Sequence, residues 1–598
     1  MLYRELVDIL PRFVRPSITV GSIMSRQSRL LPPEATAAEA AQLMTRYGYE
    51  GYPVVKDGKV IGLLTRRAVD RSVSHKLNLP AASLMEAGEV TVHPEDSVEH
   101  LQRVMTSTGW GQVPVTDPAS GSVIGIVTRT DLLKSLSARL SNLPGRQNFA
   151  ARLEAVLPPE RVALLKLIAE MAREQRQAVY IVGGIVRDML LERPSVDFDI
   201  VVEGDAINLA RALTKRFGGR MTSHSRFGTA KWQITALRQH LASIPGFPPE
   251  ARAEELPESL DLISARTEFY DYPTALPTVE RSSIKLDLHR RDFTINTMAL
   301  RLDGRHYGDL YDYWGGLSDL NQGLVRVLHS LSFVDDPTRL LRAVRFEQRF
   351  GFRIEARTRE LMDGALPLLR QVSGDRLRHE INLILCEEQA AAMFARLHEL
   401  ELLNAIHPEL EWEARAAPLL DSVLNQPPDN GWELPEKLGS LDRKQALGYL
   451  VWLSALPAES IRAIGDRLRF PRVLHSALEE TNALWKELPA LRGASPSLTA
   501  ARLNGASMLV LYAVYKMQPS PEVQQMIESY VRLLRHIRPY TTGSELQALG
   551  VPPGPAYRRI LEALRAAWLD GEVTSRDEER DLLQQLMAQP ESDPPEGG

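Results

Sequence analysis

Two carboxylates one residue apart, Asp197 and Asp199, close the stretch VYIVGGIVRDMLLERPSVDFDIVV at positions 179–202. The apolar run, the glycine pair and the later β-branched residues predict a strand, a Gly183-Gly184 turn, a short helix, a loop and a second strand. That second strand carries both aspartates. Side chains at i and i+2 of a strand leave the same face, so the carboxylates stand side by side with Phe198 and Ile200 on the other side. Flanked by Ile200, Val201 and Val202, such a pair repels itself unless a cation sits between. Hard divalent cations take carboxylate oxygens, and Mg²⁺ favours one or two carboxylates together with substrate phosphates. The Gly-Gly turn ahead of a helix offers backbone N–H groups to those phosphates. The stretch therefore points to metal and phosphate binding. A strand–helix–strand start with an acidic surface strand is the plainer alternative.

The rest of the chain bounds what this site can belong to. A length of 598 residues suggests about four domains. A formal charge of -5 excludes a histone-like polycation, so any RNA-binding surface must be a local basic patch. The single cysteine, Cys386, excludes an intrachain disulfide and a cysteine zinc cluster. No signal-peptide core or apolar run of about 18 residues occurs. The expectation is a cytoplasmic protein without a membrane segment.

An internal repeat fills the amino-terminal third, after an amphipathic leader at 1–17 with Arg12 and Arg15. One copy runs from VGSIMS at Val20 to GYPVVKDGKVIGLLTRRAVD, and the other from Leu84 to GQVPVTDPASGSVIGIVTRTDLLKSL. Each predicts a helix, a short strand, a polar turn and a strand ending in Gly-x-x-Thr-Arg. This order resembles a tandem pair of CBS domains. The resemblance implies that a strand-end Thr and a following Asp hold the ribose of an adenylate ligand (AMP or ATP). Thr128 and Asp131 stand at those places in the second copy, whereas the first has Thr65 but Ala68 in place of the Asp. One adenylate site is thus implied. A homodimerisation or packing module is the alternative. In similar proteins a CBS pair often follows a DHH phosphoesterase domain; the leader is then either what remains of that connection or a sign that the start is misassigned.

GGxVRDxLL followed by DxD resembles the signature of class II tRNA nucleotidyltransferases and poly(A) polymerases, within the polymerase-beta superfamily. Asp205 reads as the N-cap of a helix over 206–217 that stops at Gly218-Gly219. The Pro-rich segment between Ile234 and Leu260 is longer than the family's turn and reads as a solvated loop. The resemblance implies roles for further residues. Asp197 and Asp199 would bind a pair of Mg²⁺ ions, with Asp261 as a third catalytic carboxylate. Gly183, Gly184, Arg187 and Arg291 would meet the nucleotide. Arg266, Glu268 and Tyr270 in ARTEFY match a ribose-linked motif, and Asp292 and Asn296 would brace head against neck.

The neck sequence FVDDPTRLLRAVRFEQRFGF predicts a helix beginning at Asp335-Asp336-Pro337, with Arg339, Arg342, Arg345 and Arg349 on one face. With Leu340, Leu341 and Val344 packing behind it, that face must meet solvent, phosphate or substrate. By resemblance, Asp336 and Arg339 read the base, and Arg342 and Arg345 add nucleotide contacts. Adenine and cytosine both offer an amine beside a ring acceptor, matching a carboxylate and a guanidinium. Guanine and uracil offer the reverse, which leaves buried polar groups mismatched at about 1–3 kcal/mol each.

Beyond SGDRLRHEINLIL the apolar spacing stays helical, and the Gly550–Pro555 turn before Arg558 and Arg559 resembles the family's RNA-binding tail. The expected fold is multidomain α+β: a CBS pair (α/β), a small mixed-sheet head, then an all-α neck, body and tail. Expected boundaries are leader 1–17, CBS pair 18–136, linker 137–157, head 158–302, neck 303–370, body 371–480, tail 481–587 and a disordered end at 588–598. The expected activity is addition of C and/or A from CTP and ATP to the tRNA 3′ end, releasing pyrophosphate. A-only or CC-only addition and poly(A) synthesis are the near alternatives, and an inactive adenylate-sensing RNA-binding protein is the distant one.

Overall fold

The computed structural model describes residues 19–26, 29–47, 50–74, 77–132, 147–193, 198–269, 278–429 and 431–588. The leader, Asp197, Tyr270, residues 137–146 of the expected linker and the acidic end at 589–598 lie outside the described residues. The chain forms two compact units, Met1–Leu317 and Ser318–Gly598.

In the first unit the repeat builds two small sheets that exchange edges. Strand β1 (Ser25–Arg26) precedes the first copy's helix α1 (Ala37–Tyr47) and strands β2 (Gly51–Lys56) and β3 (Lys59–Thr65). The second copy contributes helix α2 (Val98–Thr108) and strands β4 (Gln112–Thr116) and β5 (Val123–Thr128). β1 pairs with β5 of the second copy, while Glu86–Ala87, from the start of the second copy, pairs with β3 of the first. Each sheet is completed by the other repeat, so neither copy closes its core alone. Val20 and Leu63 accordingly pack in the second copy's core, among Val98, Leu101 and Val113.

The head follows. Helix α3 (Pro159–Glu174) buries Val162, Leu165, Ile168, Ala169 and Ala172, the face expected from their spacing. Next come β6 (Ala178–Val182), α4 (Gly184–Leu190), β7 (Asp199–Glu203) and α5 (Ala206–Phe217). Asp205 caps α5 by accepting from the Asn208 amide, and Gly218 ends it with φ +89°. β8 (Arg220–His224), β9 (Thr229–Gln233), β10 (Ser259–Ser264), β11 (Arg266–Phe269) and β12 (Thr278–Arg281) lead to helix α6 (Ile284–His289), β13 (Met298–Arg301) and β14 (Leu310–Asp312). The sheet order is β14-β13-β6-β7-β10-β9-β8. All neighbours are antiparallel except β7 and β10. β6 and β7 therefore do not form the strand–helix–strand crossover of the plainer reading, which requires parallel strands.

The segment between Ile234 and Leu260 corrects an expectation. It is not a solvated loop: it forms a short helix, Arg238–Ala242, and buries Leu241 and Leu256. Its backbone is tied to α3, where Glu160 accepts from the Arg252 amide at 2.8 Å and Arg161 donates to the Glu255 carbonyl at 2.7 Å. Two leucines hidden among prolines and charges supply the anchor that composition concealed.

The second unit is helical, with two-residue ladders at 324–325 with 353–354 and at 437–438 with 441–442. Its helix α7 (Arg339–Phe350) carries the arginine stripe, and α8 (Gly374–Leu385) lies against it. Farther on, Phe394 packs between Trp412 and Trp452. Near the carboxyl end, Leu546, Ile560, Leu564 and Leu583 form a separate small core. No helix among the described residues is long and apolar enough to cross a membrane.

If the Pro-rich segment is packed as described, Leu241→Ala costs about 2–5 kcal/mol of unfolding free energy. Urea denaturation measures this, and a change within about 0.5 kcal/mol would return the segment to a surface loop.

Candidate active site

Sheet register brings the head's carboxylates together. Asp199 on β7 is directly paired with Asp261 on the parallel β10, and Asp261 is in turn opposite Lys231 on β9. Residues in register share a face of the pleat and lie about 4.8 Å apart across strands. Asp199, Asp261 and Lys231 therefore form a row, with Ile200, Leu262 and Ala230 buried on the other face. Lys231 Nζ is 3.2 Å from Asp261 Oδ2, and both side chains are about half exposed. Asp261 came from resemblance; Lys231 escaped the sequence reading, although its place on the strand alternates with the buried Ala230 and Trp232. Among the described residues no three metal-ligating side chains come together. The donors that do, two carboxylates on neighbouring strands, have the hard-oxygen chemistry that suits Mg²⁺, and the Lys231 ammonium answers Asp261 with the same sign of charge.

The Gly-Gly turn lies at the end of β6, next to β7. Gly183 has φ +69° and ψ -121°, and a Cβ there would meet Arg291 Nη1 at 2.7 Å. The backbone requires glycine here, and a Cβ would also have to displace the guanidinium resting on the turn. Arg291 Nε is buried with no hydrogen-bond partner among the described residues, an unsatisfied donor beside the turn. Arg187 has a different part from the expected one. It is buried, donating from Nε to Asp188 Oδ1 (2.8 Å) and from Nη1 to Asn296 Oδ1 (2.5 Å), while Asn296 Nδ2 donates to Asp292 Oδ1 (2.8 Å). These bonds run inside the head and brace α4, whereas Asp292 and Asn296 were expected to brace head against neck.

Asp287, absent from the sequence reading, organises this corner. It is fully buried and accepts from the Arg266 amide (3.1 Å), from Arg290 Nη2 (2.9 Å) and from Arg291 Nη2 (3.2 Å). Burial works to raise its pKa, yet Arg290 and Arg291 prevail and hold the carboxyl below its usual range. The signal was present: Asp287 stands three and four residues before these arginines, neighbours on a helix. Arg266 also donates to the Phe227 carbonyl (2.9 Å), tying β11 to the turn before β9. Glu268 pairs with Val279 through its backbone on β11, and its side chain lies outside the described residues.

In the second unit the neck helix starts later than expected. Asp335 ends a short helix, Ser332–Asp335, and α7 begins at Arg339 after the Thr338 cap. Asp336 Oδ1 accepts from the Thr338 amide (3.0 Å), Thr338 Oγ1 (2.6 Å) and Arg376 Nη2 (2.7 Å). Arg339 is buried and donates to Ser332 Oγ (2.6 Å). Half of the stripe is closed to solvent: Arg339 and Arg345 are buried, while Arg342 and Arg349 stay partly exposed. Glu380 on α8 lies 3.4 Å from Arg342 and 3.3 Å from Arg345, and Glu387 lies 3.4 Å from Arg349. A facing pair of glutamates, spaced two helical turns apart, satisfies a stripe that looked unpartnered in one dimension. Thr128 and Asp131, in the first unit, lie together: Thr128 Oγ1 donates to Asp131 Oδ2 at 2.7 Å.

A mixed sheet that sets in-register carboxylates beside a glycine turn crossed by an arginine defines a nucleotidyl-transfer head. The sequence profile of the "Poly A polymerase head domain" matches residues 179–326. That of the "Probable RNA and SrmB- binding site of polymerase A" matches 351–413, and CBS domain profiles match 20–75 and 81–138. An A-adding tRNA nucleotidyltransferase of Geobacter sulfurreducens is 34% identical, over 97% of this chain and 66% of its own length. One of Halalkalibacterium halodurans is 32% identical, over 72% of this chain and 94% of its own length. A solved Thermotoga maritima CCA-adding enzyme complexed with tRNA is 28% identical, with TM-score 0.57 over 75% of this chain and 99% of that one. The chain belongs to the tRNA nucleotidyltransferase family, and is an enzyme of that class.

Asp335 offers a test of the neck. Burial raises its pKa, Arg339 lowers it and neighbouring Asp336 raises it, with the outcome at about 6. The folded value exceeds the unfolded one, so its contribution to stability is present below about pH 4 and lost as pH rises through 6. With solvent screening, Asp335→Asn should gain about 1–2 kcal/mol at pH 8 relative to the parent and nothing at pH 4. Parallel urea curves at the two pH values measure the difference; a pH-independent effect would remove the assignment.

Proposed function

We propose that this chain adds the terminal A to tRNA ending in CC, using ATP and releasing pyrophosphate. The observation that carries this reading is a likeness at 34% identity running over 97% of the chain, CBS pair included, to an enzyme named as A-adding. The second A-adding relative is 32% identical, against 28% for the CCA-adding enzyme solved with tRNA.

In this reading Asp197 and Asp199 would hold a pair of Mg²⁺ ions, with Asp261 beside Asp199 as the third carboxylate. When bound, the ions lower the pKa of the attacking ribose hydroxyl and stabilise the charge that develops on the transferred phosphate. The Gly183 and Gly184 turn and Arg291 take the nucleotide's phosphates, Arg291 with a buried N–H still to be satisfied. Asp261 accepts the hydroxyl proton, and Lys231 beside it keeps the carboxylate oriented. Arg266 and Glu268 lie toward the ribose. Asp292, Asn296 and Arg187 hold α4 in place.

Base choice belongs to the neck. Asp336 accepts from the exocyclic amine and Arg339 donates to the ring nitrogen; Arg342 and Arg345, tied to Glu380, keep α7 in register. Because Arg376 and Thr338 fix Asp336 and Ser332 fixes Arg339, the pair is preorganised without a template strand. Adenine and cytosine present the same amine-and-acceptor pattern to it, so these two residues alone do not separate ATP from CTP. The exposed Arg558 and Arg559 beyond the Gly550–Pro555 turn supply phosphate contacts to the tRNA. The cytoplasm, where tRNA and ATP meet, is the site of action in this reading. The CBS pair takes an adenylate at Thr128 and Asp131, and homodimerisation through it is the second use.

Offering tRNA that ends before CCA, after C, after CC, and an unrelated RNA, each with ATP, CTP or both, tests the reading. A added to CC-ended tRNA alone is expected. Stepwise C, C and A would make it a full CCA-adding enzyme, and long tails on any RNA a poly(A) polymerase. Asp199→Ala should abolish transfer, by about 10³-fold or more, while tRNA binding by filter retention is kept. Joint loss of both would assign Asp199 to folding instead. Arg339→Ala should admit GTP and UTP by about 10-fold or more, as expected for one buried recognition group; unchanged selectivity would exclude it from base reading.

A further inference from the structure

A cavity of about 450 Å³ lies in the first unit where the CBS pair meets the head. The CBS side contributes Arg29, Tyr47, Thr128 and Asp131, and the head side contributes Lys285 and Trp314. Cations, aromatic rings and a Thr-bound carboxylate together suit a nucleoside phosphate: rings for the base, a carboxylate for a ribose diol, and arginine guanidiniums for phosphate.

The carboxylate is engaged on both oxygens. Asp131 Oδ2 accepts from the Thr128 amide (3.0 Å) and hydroxyl (2.7 Å), and Oδ1 is 3.0 Å from Lys285 Nζ. Lys285 also donates to Ser25 Oγ at 2.9 Å, and is itself four-fifths buried. A second tie closes the same wall: Glu280 on β12 receives Arg29 (2.5 Å), Arg46 (2.8 Å) and Tyr47 Oη (3.1 Å). Lys285 stands on α6, two residues before Asp287, which holds Arg290 and fixes Arg291 over the Gly183 turn. A ribose diol needs the oxygens that Lys285 and Thr128 now occupy.

Resting on the reading of an adenylate at Thr128 and Asp131, we propose that the Lys285–Asp131 ion pair is a latch. A nucleoside phosphate entering the cavity takes Asp131 from Lys285, releases α6, and loosens the hold of Asp287 on Arg291. Occupancy therefore weakens ATP use in the head. The ligand shifts the equilibrium because it competes for one carboxylate, a contact that differs between the two states.

The full chain is titrated with AMP, and hydrogen–deuterium exchange is followed over residues 284–291, alongside the KM for ATP with CC-ended tRNA. Expected are one AMP bound per chain, exchange of that segment accelerated, and a KM raised about fivefold or more, in the range of ordinary allosteric coupling. Asp131→Asn should lose AMP binding. Lys285→Met, which keeps the packed stem, should bind AMP yet show fast exchange and raised KM already without it. AMP bound with exchange unchanged, Lys285→Met still responding, or no AMP bound would each overturn the latch. An exchange response in a protein that adds no A to tRNA would instead overturn the proposed function and leave the latch standing.

Discussion

A fully buried aspartate, Asp287, is the constraint on which the head depends. An ionised carboxylate taken out of water costs several kcal/mol unless it is paired and hydrogen-bonded on all sides. Here two guanidiniums and a backbone amide meet that requirement, and the same contacts set the position of everything around them. Arg291 is placed on the Gly183 turn, Arg290 is held one residue before it, and the start of β11 is pinned at Arg266. From Arg266 the restraint continues to the Phe227 carbonyl, at the turn that opens β9 and its Lys231. One carboxylate thus links the glycine turn to the strand row that carries Asp261.

The neck solves a similar problem by a different route. A base-reading pair must be rigid, since discrimination comes from leaving a wrong base's groups unmatched, and a side chain free to swing would adapt to it. Asp336 is held by three donors and Arg339 by Ser332, so neither has to be ordered by the substrate. Behind them Glu380 and Glu387 neutralise Arg342, Arg345 and Arg349, and Arg396 answers Glu347 at 2.8 Å. A partly buried network of this kind contributes little net stability.

What was legible in the sequence follows from the range of the interactions. The Gly-Gly turn, the α5 cap at Asp205 and the periodic face of α3 are local, and each stands where its residues predicted it. Resemblance pointed to Asp261, but its pairing with Asp199 depends on a parallel crossover that no local pattern encodes. The arginine stripe misled for the same reason. Its periodicity was real, yet the acidic partners lie 38 residues away, Glu380 on another helix and Glu387 just past its end. Leu241 and Leu256 were hidden by the prolines and charges around them, since burial of two side chains is enough to dock a segment that composition marks as loop.

The edge exchange between the CBS copies adds a mechanical consequence. β1 belongs in sequence to the first copy and in space to the second, so Ser25 and Ile126 are backbone partners. Ser25 is also a hydrogen-bond partner of Lys285. The lysine of α6 therefore touches both the exchanged strand and Asp131 at the end of the strand it joins, and any shift of one against the other is felt at a single ammonium. Such a group cannot follow both partners if they separate. A repeat pair that needs each other's strands to fold is rigid enough to transmit that strain, whereas two independently closed domains would absorb it in the linker between them.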